Sequence, residues 1–479
     1  MEKTCMLPPS LQLFVSNIPI ARHSEEYEDF LTPPAPIYFQ IWVFDVVNHM
    51  EVIQDGAKPY LYQKGPYTYR EERLKVNVTF YNNNTVSYRE NRWFVFEEEL
   101  SVGPQSDNFT TVNIPVALID NLIKKEYGWI QELVELLLKV TAEDVFITLS
   151  VDDLMWGYED HLLKRASEIL ANFNITFNDH FGLFQGKNGT DDGLYTVFTG
   201  KGDSSKHGVI NEWNRMKYYS KGLSVFNLIL FVFNEDGTMY PPFLDKDKPI
   251  YVFSSDVCRS LNLVYRYEYD LKGIKLYRFV APPSLFENST ANPANKGFCT
   301  KAEGCLPSGV VDVSACRSSA PIVLSQPHFL AADPSIINSV IGLHPNTEEH
   351  QTVLDVEPMT GTTMNAAKKL QINIHIMNVS HIDYWVVFFF YQSAVIDHKS
   401  AEKFKDKVQQ PVKITQAIQF GLITVGVFVL VCALAFVGKK ILYSTYLQKS
   451  DSDTVNSHNI HMTLSKRHWG EVYAQKSVC

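Results

Sequence analysis

The 479-residue sequence predicts an α+β membrane glycoprotein: a large strand-rich body, interrupted by a helical insertion and followed by one C-terminal membrane-spanning helix. Three observations predict it. From Ile418 to Val437 the chain reads IQFGLITVGVFVLVCALAFV, long enough to cross a bilayer as a helix, with Gln419 its one strongly polar residue. Seven Asn-X-Ser/Thr triplets, beginning at Asn77, Asn83, Asn108, Asn174, Asn188, Asn288 and Asn378, all precede that run. Hydrophobic periodicity turns from strand-like to helix-like after Pro115 and back again beyond Gly182.

Taken in order, residues 1–30 are polar and carry no visible anchor. PIYFQIWVFDVVN, from Pro36, is aromatic and β-branched on both alternating faces, as in a central strand buried on both sides. The strands that follow are predicted to break at Lys64-Gly65-Pro66 and at Asn82-Asn83-Asn84. Within KVNVTF, apolar alternation turns Asn77 toward solvent. In the insertion, Ile119, Leu122, Ile123, Ile130, Leu133, Val134 and Leu137 recur at helical spacing. A second helical stretch, SVDDLMWGYEDHLLKRASEIL, opens on Ser150 and Asp153 as a capping-box pair. KNGTDDGLYTVFTG, KPIYVFSSD, NLVYRYEYD and IKLYRFVAPP return to strand and turn signals. Lys439 and Lys440 follow the apolar run, so the positive-inside rule places the preceding body outside or in a lumen and the polar, flexible tail in the cytosol.

Composition narrows function. The aromatic content of 13%, with 30 Phe and 24 Tyr, favours sheet packing. A formal charge of −10 repels phosphate backbones and excludes nucleic acid as a partner. No nucleophile-elbow, zincin, dinucleotide-binding or Walker pattern occurs, so the chain is read as no enzyme and with no cofactor or metal. HPNTEEH, residues 344–350, has metal-binding residue types without a ligand spacing, and Pro345 argues for a loop. Asp152-Asp153 and Asp191-Asp192 fit a helix start and a turn better than general acid/base work. Cys258, Cys299, Cys305 and Cys316 lie in the body, where an oxidising compartment favours disulfides over zinc. Four cysteines allow three pairings, and their spacing does not choose among them.

With GPYTYRE (65–71), NIPV (113–116), LMWGY (154–158), FGLF (181–184), VCRS (257–260), the cysteine cluster and APIVLSQPHFLAAD (320–333), the chain resembles the class B scavenger receptor family, over about residues 30–375. The resemblance implies a lumenal antiparallel β-barrel (31–413) with an apical helical bundle (116–172), a transmembrane helix (414–438), a cytosolic tail (439–479) and a tunnel for lipid or sterol. It pairs Cys258 with Cys316 and Cys299 with Cys305. By likeness to the family's lysosomal member it implies a lysosomal or late endosomal receptor that binds a glucocerebrosidase-like acid hydrolase through Trp129, Glu132, Leu133, Leu136 and Leu137. The alternative is a plasma-membrane scavenger receptor that collects lipoprotein or anionic lipid at Lys124 and Lys125. A homodimer is compatible with either.

Overall fold

A computed structural model describes residues 20–22, 25–115, 145–171, 179–215, 237, 239–257, 259–299, 305–314, 322–379 and 382–473. Its dominant feature is a 13-stranded sheet in which every pairing is antiparallel. The first half of the chain supplies β1 (Ile37–Val46), β2 (Leu61–Phe80), β3 (Thr85–Phe96), β4 (Asn108–Val112), β5 (Phe146–Ser150), β6 (Tyr158–Glu159), β7 (His180–Phe181), β8 (Leu194–Phe198) and β9 (Ile210–Trp213). The second half supplies β10 (Ile250–Ser254), β11 (Arg259–Leu271), β12 (Ile274–Val280), β13 (Val310–Asp312), β14 (Ile322–Ser325), β15 (Val353–Val356), β16 (Thr363–Val379) and β17 (Ile382–Val395).

The ladder runs β10-β11-β12-β15-β16-β17-β1-β2-β3-β8-β9, with β14 beside the second half of β16 and β13 beside β14. β1 is central, and Ile37 pairs with Ala394 of β17, but burial alternates along it: Phe39, Ile41 and Val43 are buried while Tyr38, Gln40 and Trp42 are half-buried, so the expected burial on both sides is met on one face only. The first and last long strands of the sheet therefore lie side by side. Among the described residues the end strands β9 and β10 do not hydrogen-bond, so the ladder is open where the family resemblance implies a barrel. The two ends nevertheless meet through aromatic rings: Phe253 of β10 lies 5.3 Å from Trp213 of β9 and 6.4 Å from Tyr195 of β8.

Three local expectations are corrected. Lys64-Gly65-Pro66 does not break the strand but forms a bulge inside β2, where the register against β1 jumps between Ile41 and Val43. Gly65 is required there: at φ 139° its added Cβ would fall 2.7 Å from the Ile41 carbonyl oxygen. The second helical stretch is two helices, Val151–Trp156 and His161–Ala171, because the intervening Tyr158–Glu159 pairs with His180–Phe181. HPNTEEH is not all loop; Thr347–His350 form a helical turn capped by the Asn346 side chain. The Ser150/Asp153 capping box and the Asn82–Asn84 turn, closed by Tyr81 N–H donating to the Thr85 carbonyl, are present as read.

The chain divides into two compact units, residues 1–403 and 404–479. The second is helical: a π turn Lys405–Gln409, then Gln410–Tyr473. The helix continues through the segment read as a flexible tail, since no proline interrupts the sequence after Pro411. Nearly every residue from Phe420 to Lys449 is exposed, which leaves this helix long and apolar enough to cross a membrane and unburied within its own unit.

Candidate functional site

The inward face of β2 and β3 holds the chemistry. Alternation places Tyr67, Tyr69, Glu71, Arg73 and Lys75 on one face of β2, and the register sets Tyr69 opposite Phe96, Arg73 opposite Arg92 and Lys75 opposite Glu90. The face thus reads apolar, then charged, then apolar again. At one end Phe39, Phe94, Phe184 and Phe390 form an aromatic box, with Phe39 at 5.6, 5.2 and 5.2 Å from the other three, and Tyr69 and Trp156 extend it. At the other end Val86, Tyr88, Tyr195, Val197, Ile210, Trp213 and Phe253 make a second buried cluster.

Between them lies a buried layer of ions. Arg73 donates to Glu71 at 2.8 Å and to Glu90 at 3.4 Å; Lys75 reaches Glu90 at 3.2 Å, and Arg92 reaches Asp192 at 3.2 Å. Gln392 of β17 also donates to Glu71, while Tyr195 and Ser255 donate to Asp192 at 2.9 and 2.6 Å. Arg73, Lys75 and Arg92 balance Glu71, Glu90 and Asp192, so the layer is neutral overall. Burial alone would raise the Glu90 carboxyl, but Lys75, Arg73 and Arg92 together outweigh it and hold the group at about 2. Chemically the layer is a polar partition across an otherwise apolar interior.

The sequence reading missed this layer. YREERLKV is charged at Arg70, Glu71, Glu72, Arg73 and Lys75 and YRENRW at Arg89, Glu90 and Arg92, on both alternating faces, a density that normally marks a solvated strand. Only the matching of opposite signs across β2, β3 and the Asp191-Asp192 turn could have revealed burial; Arg89 pairs Asp191 at 2.6 Å, as Arg92 does Asp192.

The residues singled out earlier fall in several places. Asn77, Asn83, Asn108 and Asn188 are exposed. Asn288 is half-buried, its amide donating to the Leu306 carbonyl at 2.7 Å. Asn77 reaches solvent on a positive-φ bulge rather than by simple alternation. A disulfide joins Cys299 and Cys305. Cys258, Cys316, Asn174, Lys124, Lys125, Trp129, Glu132, Leu133, Leu136 and Leu137 lie outside the described residues, as does the Asn378 side chain. His344 and His350 gather no third donor for a metal among the described residues; the His350 ring instead stacks on His328 at 4.3 Å.

The family model described as the CD36 family matches residues 4–437, which include both the sheet and the apolar run Ile418–Val437 of the C-terminal helix. The chain belongs to the CD36 family. This CD36-family protein is 33% identical to scavenger receptor class B member 1 of Sus scrofa, over 90% of this chain and 84% of that one. It is 34% identical to lysosome membrane protein 2 of Homo sapiens, over 87% of each. Against scavenger receptor class B member 1 of Rattus norvegicus it is 36% identical over 79% of this chain and 73% of the relative. The class B scavenger receptor resemblance is therefore the family, and the architecture it carries is a large antiparallel sheet domain with one C-terminal apolar helix. These relatives bear the names of a receptor and of a lysosomal membrane protein; this CD36-family member is a membrane protein and no enzyme.

Proposed function

We propose that this protein is a lysosomal or endosomal membrane receptor that carries lipid or sterol through the interior of its sheet domain and binds an acid hydrolase of the glucocerebrosidase class through residues 116–172. One observation supports this most: a single family model spans the sheet domain and the apolar helix together, and a relative named for the lysosomal membrane matches over 87% of the chain. In this reading residues 31–413 are lumenal, with the two ends of the open sheet brought together by the ring contacts of Phe253 with Trp213 and Tyr195, and residues 414–438 cross the bilayer. The contact helix presents Trp129, Glu132, Leu133, Leu136 and Leu137, and Cys258 pairs with Cys316. An apolar ligand moving between the two apolar clusters would meet the neutral ion layer at Glu71, Arg73 and Glu90.

The test is capture of glucocerebrosidase by the full chain in detergent at neutral pH, compared with Leu133→Asp and Leu137→Asp. Loss of capture, with unchanged thermal unfolding, supports the reading; capture unaffected by both substitutions removes it.

The similar identities to the two kinds of relative, 33% and 34%, favour keeping a second reading. In it the protein works at the plasma membrane, and Lys124 and Lys125 attract lipoprotein or anionic lipid. Uptake of labelled lipoprotein would then fall with added salt, because exposed charge attraction is screened within about 8 Å at physiological ionic strength. Salt-independent uptake removes this alternative.

A further inference from the structure

A cavity of about 180 Å³ lies against the sheet on the side away from the core, lined by β11, β12, β15, β16, β17 and the helical turn Thr347–His350. Alternation along β16 explains the division: Ala366, Leu370 and Ile372 pack on the core, while Asn365, Ala367 and Lys369 line the cavity. The cavity is several times the roughly 30 Å³ share of one water. It is also polar, which sets it apart from a core packing defect.

Three cations surround it. Arg278 is committed: it grips the fully buried Asp355 through two 2.7 Å bonds and donates to the Tyr267 hydroxyl at 2.9 Å. Arg266 is half committed, donating to Gln351 at 2.7 Å and lying 3.5 Å from the exposed Glu348 carboxylate. Lys369 has no anion in contact among the described residues, although the Glu348 and Glu349 carboxylates act on it from farther off. It is 8% exposed, and among the described residues its ammonium touches the Glu348 carbonyl at 3.4 Å and the Tyr391 ring at 5.0 Å from the centroid. Among the described residues no carboxylate lies within ion-pair distance of it. A buried ammonium without a counter-ion is costly, and Arg278 adds repulsion. Burial, then Arg278, push the Lys369 ammonium down from its ordinary pKa, and Glu348 and Glu349 oppose them without making up the difference.

We propose that this cavity is an oxyanion site that takes a phosphate group, held by Lys369 and Arg266 with the Thr347 side chain beside them, the Asn365 amide being given to Asp355. One bound anion puts a negative charge in contact with Lys369, where Glu348 and Glu349 act only from a distance. A tetrahedral oxyanion has enough acceptors for donors converging from β11, β16 and the helical turn, and a guanidinium matches it through paired N–H groups. The same phosphate chemistry occurs free and as a lipid head group. The site is separate from residues 116–172 and does not rest on the receptor reading.

Isothermal titration of the full chain in a non-ionic detergent at pH 7 tests it, with inorganic phosphate, dihexanoyl phosphatidate and acetate as probes. Wild type is expected to bind phosphate saturably and more tightly than acetate, and Lys369→Met and Arg266→Met each to weaken it at least tenfold. Without phosphate, Lys369→Met should unfold at the same or a higher temperature, because it removes an unpaired buried charge. Equal affinities for the two phosphate probes assign a free phosphate. Phosphatidate binding at least tenfold tighter, and lost in Lys369→Met, assigns a lipid head group. Absence of saturable phosphate binding, undiminished binding in Lys369→Met, or tighter binding of acetate overturns the proposal.

Discussion

Acidification should destabilise this protein through two stacked histidines. His328 and His350 lie ring on ring, 4.3 Å apart and 10° from parallel, both buried. The Nδ1 atoms accept backbone N–H groups, from His344 at 3.0 Å and Asn346 at 3.0 Å, and His328 Nε2 faces the Gln63 side-chain oxygen at 2.7 Å. Each imidazole is thus held neutral with its proton on Nε2, and a second proton on Nδ1 would oppose an N–H. Burial, with His350 and His344 beside it, pushes His328 down to about 3. Burial pushes His350 to about 4; Glu349 favours its charge from 4.0 Å but is 71% exposed, and Lys369 opposes it. Because the folded values lie below the ordinary 6.5, the unfolded chain binds protons that the folded one refuses. The stabilisation is complete above pH 6.5 and falls as pH drops toward 4. At pH 5 each histidine costs about 2 kcal/mol, about 4 kcal/mol for the pair. The assay is urea unfolding of the full chain in detergent, followed by tryptophan fluorescence at pH 7.5 and pH 5. The comparison is a His328→Asn/His350→Asn double variant; Asn supplies an acceptor in place of Nδ1 and tolerates the positive φ of 54° at position 328. Wild type should lose about 4 kcal/mol more than the variant over that interval. An equal loss in both proteins would refute the reasoning.

Glu90→Gln should destabilise the sheet by about 3 to 5 kcal/mol, since it leaves Arg73, Lys75 and Arg92 short of an anion in a buried site; urea unfolding at pH 7 measures it. With the Glu90 carboxyl near 2, its contribution is present above pH 4.5 and is lost only as pH falls toward 2, so the Glu90→Gln cost should be the same at pH 7 and pH 5. Gly342→Ala should cost about 2 to 3 kcal/mol, because position 342 has φ 97° and its added Cβ would meet the Leu61 carbonyl oxygen at 2.1 Å; the shift in unfolding midpoint reads it. Enzymatic removal of N-linked glycans from the chain expressed in cells should increase its gel mobility, with Asn77→Gln, Asn83→Gln, Asn108→Gln and Asn188→Gln together removing more of the shift than Asn288→Gln. An unchanged mobility would mean that the sheet unit never entered the lumen.

What the sequence determined by itself were features written in neighbouring residues. The central strand Ile37–Val46, the strands near residues 194, 250, 259 and 274, the Ser150/Asp153 cap and the apolar helix all follow from local periodicity and turn chemistry, and the ordered motifs sufficed to identify the family. Tertiary structure decided what depends on partners far along the chain. Glu71, Arg73, Lys75, Glu90 and Arg92 look like a wetted strand face until Asp192 and Gln392 close over them. Gly65-Pro66 looks like a turn until Trp42 is set against it in a bulge. Lys369 is an ordinary strand lysine until β11, β12 and the turn at Thr347 wall it in, and His328 meets His350 only because the fold stacks segments 22 residues apart. Local periodicity fixes which way a side chain points along its own strand. Whether water or another charge waits there depends on long-range pairing, and that contact sets the cost of burial and the pKa.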